Sequence, residues 1–215
     1  MIYPTICLDN FFNEPLKVLE FSKNLEFYKD PEGKWPGERS KSLNEVDFSF
    51  FNNFGIKVMS ILYPNVKYIN FKCNLFFQKI SNKYINSGWI HKDIECEFTC
   101  IVYLSSHKNC GTSIFDSKKI CSEILNNEKK EYTYTKNLFE EEEKYLKENN
   151  DQFEETISIK SKFNRCIMFD GANFHAAQKF YENDVQEERL TLIGFFNDIY
   201  FPGIKYNGIE HKRIF

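Results

Sequence analysis

An antiparallel β-domain of the sandwich or jelly-roll kind, placed behind helical N-terminal support (mainly β, α+β class), is the fold that this chain of 215 residues predicts. Three observations predict it. The hydrophobic period changes from near 3.6 to 2 at about residue 67. The last two-thirds then hold several short alternating segments, with no regular alternation of strand and helix. The composition, 42% hydrophobic and 17% aromatic with 23 Phe and 12 Tyr, describes a core filled largely by rings. A chain of this length buries one sizeable core, and a second would be cramped, so a single domain over 1–215 is expected.

Residues 1–66 read as the helical support. Asn13 is placed to cap a helix opening at Glu14-Pro15, with Leu16, Leu19, Leu25 and Tyr28 on its apolar side. Ser42-Leu43-Asn44-Glu45 has the form of a capping box opening a second helix. Along that stretch Val46, Phe50, Phe51, Phe54, Val58 and Leu62 recur at helical spacing and make a face to lay against a sheet. Between the two helices, Lys34-Trp35-Pro36-Gly37-Glu38-Arg39 reads as a loop.

Residues 67–200 read as the β-core. Ile69, Phe71, Cys73, Leu75 and Phe77 alternate with Asn70, Lys72, Asn74 and Phe76; Phe98, Cys100, Val102 and Leu104 alternate with Thr99, Ile101 and Tyr103. Further strands are expected over 156–159, 165–169 and 189–197. The stretch from about 117 to 150, with Glu140-Glu141-Glu142-Glu143 and a Lys/Asn-rich flank, reads as an inserted helix or loop with a solvated, charged surface. Residues 201–215 read as a C-terminal tail.

A net charge of -3 provides no global positive field, so attraction to nucleic acid or to an anionic membrane is not indicated. Met1 to Phe12 lacks the basic and apolar regions of a secretory signal, and no apolar run approaches a spanning helix. A soluble, cytoplasmic protein is the expectation. Seven cysteines is an odd number with irregular spacing, and Cys96 to Cys100 is one residue too wide for a paired-thiolate knuckle, so reduced and mostly buried thiols are expected.

The chemistry starts from Trp89-Ile90-His91-Lys92-Asp93. One residue separates His91 from Asp93, so on an extended segment both side chains leave the same face and reach one ion together. Alone the pair is a weak signal. A third donor, His175, follows Phe169-Asp170-Gly171, where an apolar strand runs into a turn. Two imidazoles and one carboxylate leave coordination positions open for a co-substrate and O₂. Fourteen residues past His175, Arg189 opens an alternating strand on which Arg189 and Thr191 share a face with Ile193 and Phe195. A fork-shaped cation buried there needs a carboxylate partner; the bland alternative is a surface or ion-paired Arg. His107, in a polar loop, and His211, in the basic tail, read as surface histidines. Trp35 and Trp89 suit either the substrate mouth or, for Trp89, the core.

Taken in order, His91-x-Asp93, Ile101-Val102-Tyr103-Leu104-Ser105, Gly111-Thr112-Ser113-Ile114-Phe115, Phe169-Asp170-Gly171 through His175, and Arg189-x-Thr191 resemble the iron(II)/2-oxoglutarate-dependent oxygenase superfamily. The branch they resemble is the prolyl-hydroxylase-like and phage-encoded one, and the likeness covers roughly residues 68–200. It implies a double-stranded β-helix. It implies His91, Asp93 and His175 as iron ligands, Arg189 as the partner of the distal carboxylate of 2-oxoglutarate and Thr191 as its hydroxyl helper, with Tyr84 or Tyr103 adding a second hydroxyl. It implies the dioxygenase reaction: Fe(II), 2-oxoglutarate and O₂ are used to hydroxylate an unactivated C–H bond of an amino acid, a protein side chain or a small metabolite, with release of succinate and CO₂. The carboxylate of Asp93 favours hydroxylation over halogenation within that resemblance. Nucleic-acid substrates are not expected, since only Lys205, Lys212 and Arg213 follow Arg189. Two other readings stay open: a cupin-like metal enzyme independent of 2-oxoglutarate, and a non-catalytic binding module on the same scaffold.

Overall fold

The computed structural model describes residues 3–33, 35–84, 87–93, 95–118, 140–182 and 184–200. Its elements run β1 (Ile6–Leu8), α1 (Pro15–Lys23), β2 (Phe27–Lys29), β3 (Glu38–Ser40), α2 (Leu43–Val46), α3 (Phe48–Leu62), β4 (Asn70–Ile80), β5 (Phe98–Tyr103), β6 (Thr112–Ser117), α4 (Glu140–Asn150), β7 (Phe153–Ile159), β8 (Arg165–Asp170), β9 (Phe174–Ala177) and β10 (Arg189–Tyr200).

Among the described residues two antiparallel sheets result. The larger has seven strands in the order β1-β8-β5-β10-β4-β3-β2, and the smaller has three in the order β7-β6-β9. The period-2 alternation of β10 divides its two faces. Leu190, Leu192 and Phe196 join the main hydrophobic core with Phe54 and Val58 of α3, while Arg189, Thr191 and Ile193 take the opposite face. That opposite face looks at the smaller sheet: Tyr103 of β5 bonds Thr112 of β6 through their hydroxyls at 2.8 Å, and Tyr103, Ile114, Ile167 and Phe169 form a small apolar cluster between the sheets. The helix side is thus packed solid, and the inter-sheet side carries the polar residues.

Ring stacking supplies much of the helix-side packing. Phe98 lies on Phe196 with centroids 4.5 Å apart and planes 8° from parallel, a pair worth about 0.5–1.5 kcal/mol beyond its buried area. α3 crosses the sheet closely because Gly55 has no side chain; a Cβ there would stand 2.4 Å from Phe71 Cζ.

Several expectations are corrected. The first third is not purely helical: β1, β2 and β3 all join the larger sheet, and β3 occupies part of the expected loop because Glu38 and Arg39 pair with Lys79 and Gln78. Asn13 does not cap α1; Glu14 holds that position without a side-chain cap, and the helix stops before Leu25 and Tyr28. Ser42 makes no cap bond either. The second helix breaks at Asp47, whose carboxylate accepts the Phe50 N–H at 2.9 Å and so restarts the helix as α3. Val46, on the expected apolar face, is 41% exposed. Of the insertion, the described part is helix α4; the remainder of 117–150 beyond Lys118 and the tail with Lys205, His211, Lys212 and Arg213 lie outside the described residues. The six cysteines among the described residues are free thiols, four of them buried.

Candidate metal centre

Backbone geometry brings the two histidines together. His91 and His175 form an isolated antiparallel bridge and exchange both main-chain hydrogen bonds, at 3.1 and 2.9 Å. The Asp93 N–H is held by the Gly171 carbonyl at 2.8 Å. Glycine is required at 171 because a Cβ would lie 2.4 Å from the Cys96 carbonyl and 2.7 Å from that of Asp93. The turn after β8 therefore closes directly over the aspartate.

The side chains converge. His91 Nε2 lies 3.5 Å from Asp93 Oδ1, and His175 Nε2 lies 3.3 Å from Asp93 Oδ2. The ring centroids of the two histidines are 4.5 Å apart. Donor atoms bound about 2.0–2.2 Å from one ion sit roughly 3–4 Å from each other, and these spacings match. Each imidazole is also oriented from behind. His91 Nδ1 faces the Trp89 carbonyl at 2.7 Å, and His175 Nδ1 faces the Asn173 carbonyl at 3.0 Å. A carbonyl only accepts, so each Nδ1 carries its proton, and in the neutral ring each Nε2 lone pair is left for the centre.

Electrostatics agree with a cation at this point. Burial, reinforced by neighbouring His175, pushes His91 below the usual histidine range, which favours the neutral ring that ligates a metal. Burial alone would raise Asp93, but His175 and His91 in their protonated form overcome it and hold the carboxyl well below the usual range; with both Nε2 atoms unprotonated, a bound cation would take over that part. Thr99 Oγ1 donates to Asp93 Oδ2 at 2.6 Å and fixes the carboxylate plane.

Arg189 opens β10 on the inter-sheet face and is 5% exposed. Its Nε and Nη2 donate to the Cys110 carbonyl at 3.2 and 3.0 Å. No carboxylate pairs with it among the described residues. Thr191, fully buried in the next position of the same face, has an Oγ1 without any hydrogen-bond partner. Tyr103 stands beside Thr191 in register, with the Arg189 Cζ 6.0 Å from its ring. Burial pushes the Tyr103 phenol up to about 12, so it is a neutral donor. A buried cation without an anion and a buried hydroxyl without a partner are each costly, and one bound carboxylate satisfies both. The donor set therefore fits 2-oxoglutarate as it fits a divalent metal. Tyr84 is half-buried in the turn after β4, with its N–H on Ser81 O; no side-chain hydrogen bond joins it to Arg189 or Thr191 among the described residues.

His107 is not a surface histidine: it is 1% exposed. Its Nε2 donates to the Glu187 carbonyl at 3.0 Å, which leaves Nδ1 to accept the Glu182 N–H at 3.4 Å. With Cys110 and Glu182 it forms the second cluster of possible ligands among the described residues. These donors are already engaged, since Glu182 takes hydrogen bonds from the Lys108 N–H and the Asn109 amide, and burial pushes the Cys110 thiol up to about 11. The cluster is a tie that closes the loop carrying the Cys110 carbonyl, on which Arg189 rests.

Thr99 escaped the sequence reading, although a threonine on the inward face of an otherwise apolar strand is a visible signal. The Trp89, Asn173 and Cys110 carbonyls had no sequence signal at all, because any residue supplies a carbonyl. Trp89 belongs to the packing, 4% exposed against Tyr145 and Leu146; Trp35 is half-buried with the Arg39 guanidinium 4.2 Å over its ring.

Comparison with solved structures shows a shared fold. The non-heme alpha ketoglutarate dependent epimerase SnoN from nogalamycin biosynthesis superposes with a TM-score of 0.55 at 10% identity, over 97% of this chain and 88% of that one. HygX from Streptomyces hygroscopicus, with nickel and 2-oxoglutarate bound, superposes with a TM-score of 0.56 at 10% identity, over 89% of this chain and 82% of that one. The jelly roll is thus of the kind found in 2-oxoglutarate/iron oxygenases, as the ordered motifs imply. No curated protein matches by sequence. A family model matches residues 84–196, and its description is a family of unknown function, DUF6445. That span runs from before His91 to beyond Thr191. No helix among the described residues is long and apolar enough to cross a membrane.

Proposed function

We propose, for a chain that belongs to the DUF6445 family of unknown function, the activity of an iron(II)- and 2-oxoglutarate-dependent oxygenase that hydroxylates a C–H bond of an amino acid, a protein side chain or a small metabolite. The observation that carries the reading is the convergence of His91 Nε2, His175 Nε2 and both Asp93 oxygens within 3.3–3.5 Å contacts, with both Nδ1 protons turned outward to carbonyls. Three protein donors leave an iron with open positions. The shared fold with SnoN, an alpha ketoglutarate dependent epimerase, and with HygX, solved with nickel and 2-oxoglutarate bound, supports it.

His91, His175 and Asp93 would hold the iron, with Thr99 keeping the carboxylate turned toward it. Arg189 would receive the far carboxylate of 2-oxoglutarate in its planar fork, and the Thr191 hydroxyl would donate to the same group. When bound, iron and 2-oxoglutarate supply the oxidising power, drawing on O₂ and releasing succinate and CO₂. Ile101, Ile114, Ile167, Ile193 and Phe169 line the inter-sheet space and keep water from the reacting atoms.

The direct test is turnover of 2-oxoglutarate. Anaerobically purified protein supplied with Fe(II), 2-oxoglutarate and air should form succinate above a metal-free control, and Asp93→Gly should abolish it. Metal binding without succinate in the presence of a broad panel of candidate substrates favours the cupin-like, 2-oxoglutarate-independent alternative.

A further inference from the structure

The helix inserted between β6 and β7 ends on the segment that carries His91. Asn150 accepts the Ile90 N–H on Oδ1 and donates from Nδ2 to the Gly88 carbonyl, both at 3.0 Å. Asn149, 3% exposed, donates to the Ile90 carbonyl at 3.2 Å and to Asn150 Oδ1 at 3.0 Å. Its own Oδ1 is buried and makes no hydrogen bond, a cost that the docked position bears.

The directions of these bonds give the pair a meaning. In an extended segment, neighbouring residues turn their main-chain groups to opposite edges. His91 gives both of its groups to His175 on β9, so the Ile90 N–H and carbonyl face the other edge. Gly88 divides its groups: its N–H goes to the Ala177 carbonyl of β9 at 2.8 Å, and its carbonyl turns to Asn150. Two carboxamides serve that edge as a further strand would. Trp89 ties the same helix to the metal centre a second way. Its ring packs on Tyr145, with centroids 5.1 Å apart, and on Leu146, while its carbonyl holds the His91 Nδ1 proton.

We infer that Asn149 and Asn150 are positioning residues of the metal centre: by pairing the outer edge of residues 88–91 they set the rotation of His91, so that docking of α4 determines metal affinity. This rests on the metal-binding reading of His91, Asp93 and His175. In that arrangement α4 is more than a solvated insertion, because its C-terminal turn completes the seat of one ligand.

The test is a Co(II) titration of the full chain, read by affinity and by the visible absorption spectrum of bound cobalt, on the parent, Asn149→Ala and Asn150→Ala. Asn150→Asp covers the case in which an alanine variant does not fold, since it keeps the acceptor facing the Ile90 N–H while replacing the donor to Gly88 by a carboxylate oxygen. Asn164→Gly is the control: Asn164 makes a comparable double tie to Phe12 and holds φ 62°, which glycine tolerates. The expected result is a loss of about 10- to 100-fold in cobalt affinity and a changed spectrum in the Asn149 and Asn150 variants, the size typical of groups that orient a ligand. Asn164→Gly should lower the melting temperature and leave affinity and spectrum as in the parent. Parental affinity and spectrum in every folded Asn149 and Asn150 variant overturns the inference alone, while absence of cobalt binding in the parent overturns the metal reading and the inference with it.

Discussion

Thr99 Oγ1 lies 2.6 Å from Asp93 Oδ2, on the oxygen that also faces His175 Nε2 at 3.3 Å. Thr99 belongs to β5, and its position in the sheet is fixed by pairing with Phe195 on one side and Phe169 on the other. The carboxylate of a loop residue is thus aligned by a strand of the rigid scaffold.

Thr99→Val keeps the shape of this buried side chain and removes its donor. Cobalt or iron affinity is expected to fall about 10- to 100-fold, with little change in fold, because an oriented ligand becomes a free rotor. Metal titration with circular dichroism checks it; unchanged affinity would show that the hydroxyl merely fills space.

Arg189→Ala should weaken 2-oxoglutarate binding at least about 30-fold, about 2 kcal/mol, since one side of a buried, hydrogen-bonded charge pair is removed. Metal binding should survive. Calorimetric titration of the metal-loaded variant with 2-oxoglutarate reads both, and wild-type affinity would mean that another residue holds the co-substrate.

The loop that presents the Cys110 carbonyl to Arg189 should loosen in acid. Ser106 holds the Glu187 carboxyl below its usual range; for Glu182 burial acts upward, but hydrogen bonds from Asn109 and Lys108 prevail and lower it. Folded values below the unfolded one give stability that is fully present above the unfolded pKa of about 4.3 and is lost as pH falls through the lower folded values. Hydrogen exchange at the Ser106 and Lys108 amides should therefore accelerate relative to the core only below about pH 4.3; protection that is flat across that range would remove both carboxylates from the tie.

Phe196→Ala should cost about 3–5 kcal/mol of stability. Phe196 is fully buried and meets Phe98, Phe71 and Phe54 at centroid distances of 4.5, 5.7 and 6.4 Å. Chemical denaturation of the metal-free protein measures it. A loss under about 1 kcal/mol would mean that the helix layer repacks around the gap.

What the residues disclosed in advance follows a physical rule. Long alternating strands were legible because burial on one face writes period 2 into the sequence, as in Leu75 and Phe77 or Leu190 and Leu192. Short β2 and β3 were not, since three residues carry no period and their pairing with β4 is a tertiary event. His91, Asp93, His175 and Arg189 could be singled out because few side chains suit that chemistry and their order is characteristic. His107 looked exposed because its neighbours are polar, yet those neighbours point at it: Glu182 and the Glu187 carbonyl satisfy both ring nitrogens, which lets a polar loop bury a histidine. The hold of Asn149 and Asn150 on residues 88–91 spans about sixty residues of chain and depends on backbone groups, which leave no trace in composition.

On this reading His91, Asp93, His175 and Arg189 bind one iron and one 2-oxoglutarate together. Anaerobic addition of 2-oxoglutarate to the Fe(II)-loaded protein tests this most directly, because a 2-oxo acid chelated to ferrous iron absorbs in the visible as charge passes from metal to ligand. The band should appear saturably, vanish in His175→Ala, and need at least about thirty times more 2-oxoglutarate in Arg189→Ala. No band in the parent protein, or one as easily saturated without Arg189 as with it, would contradict it.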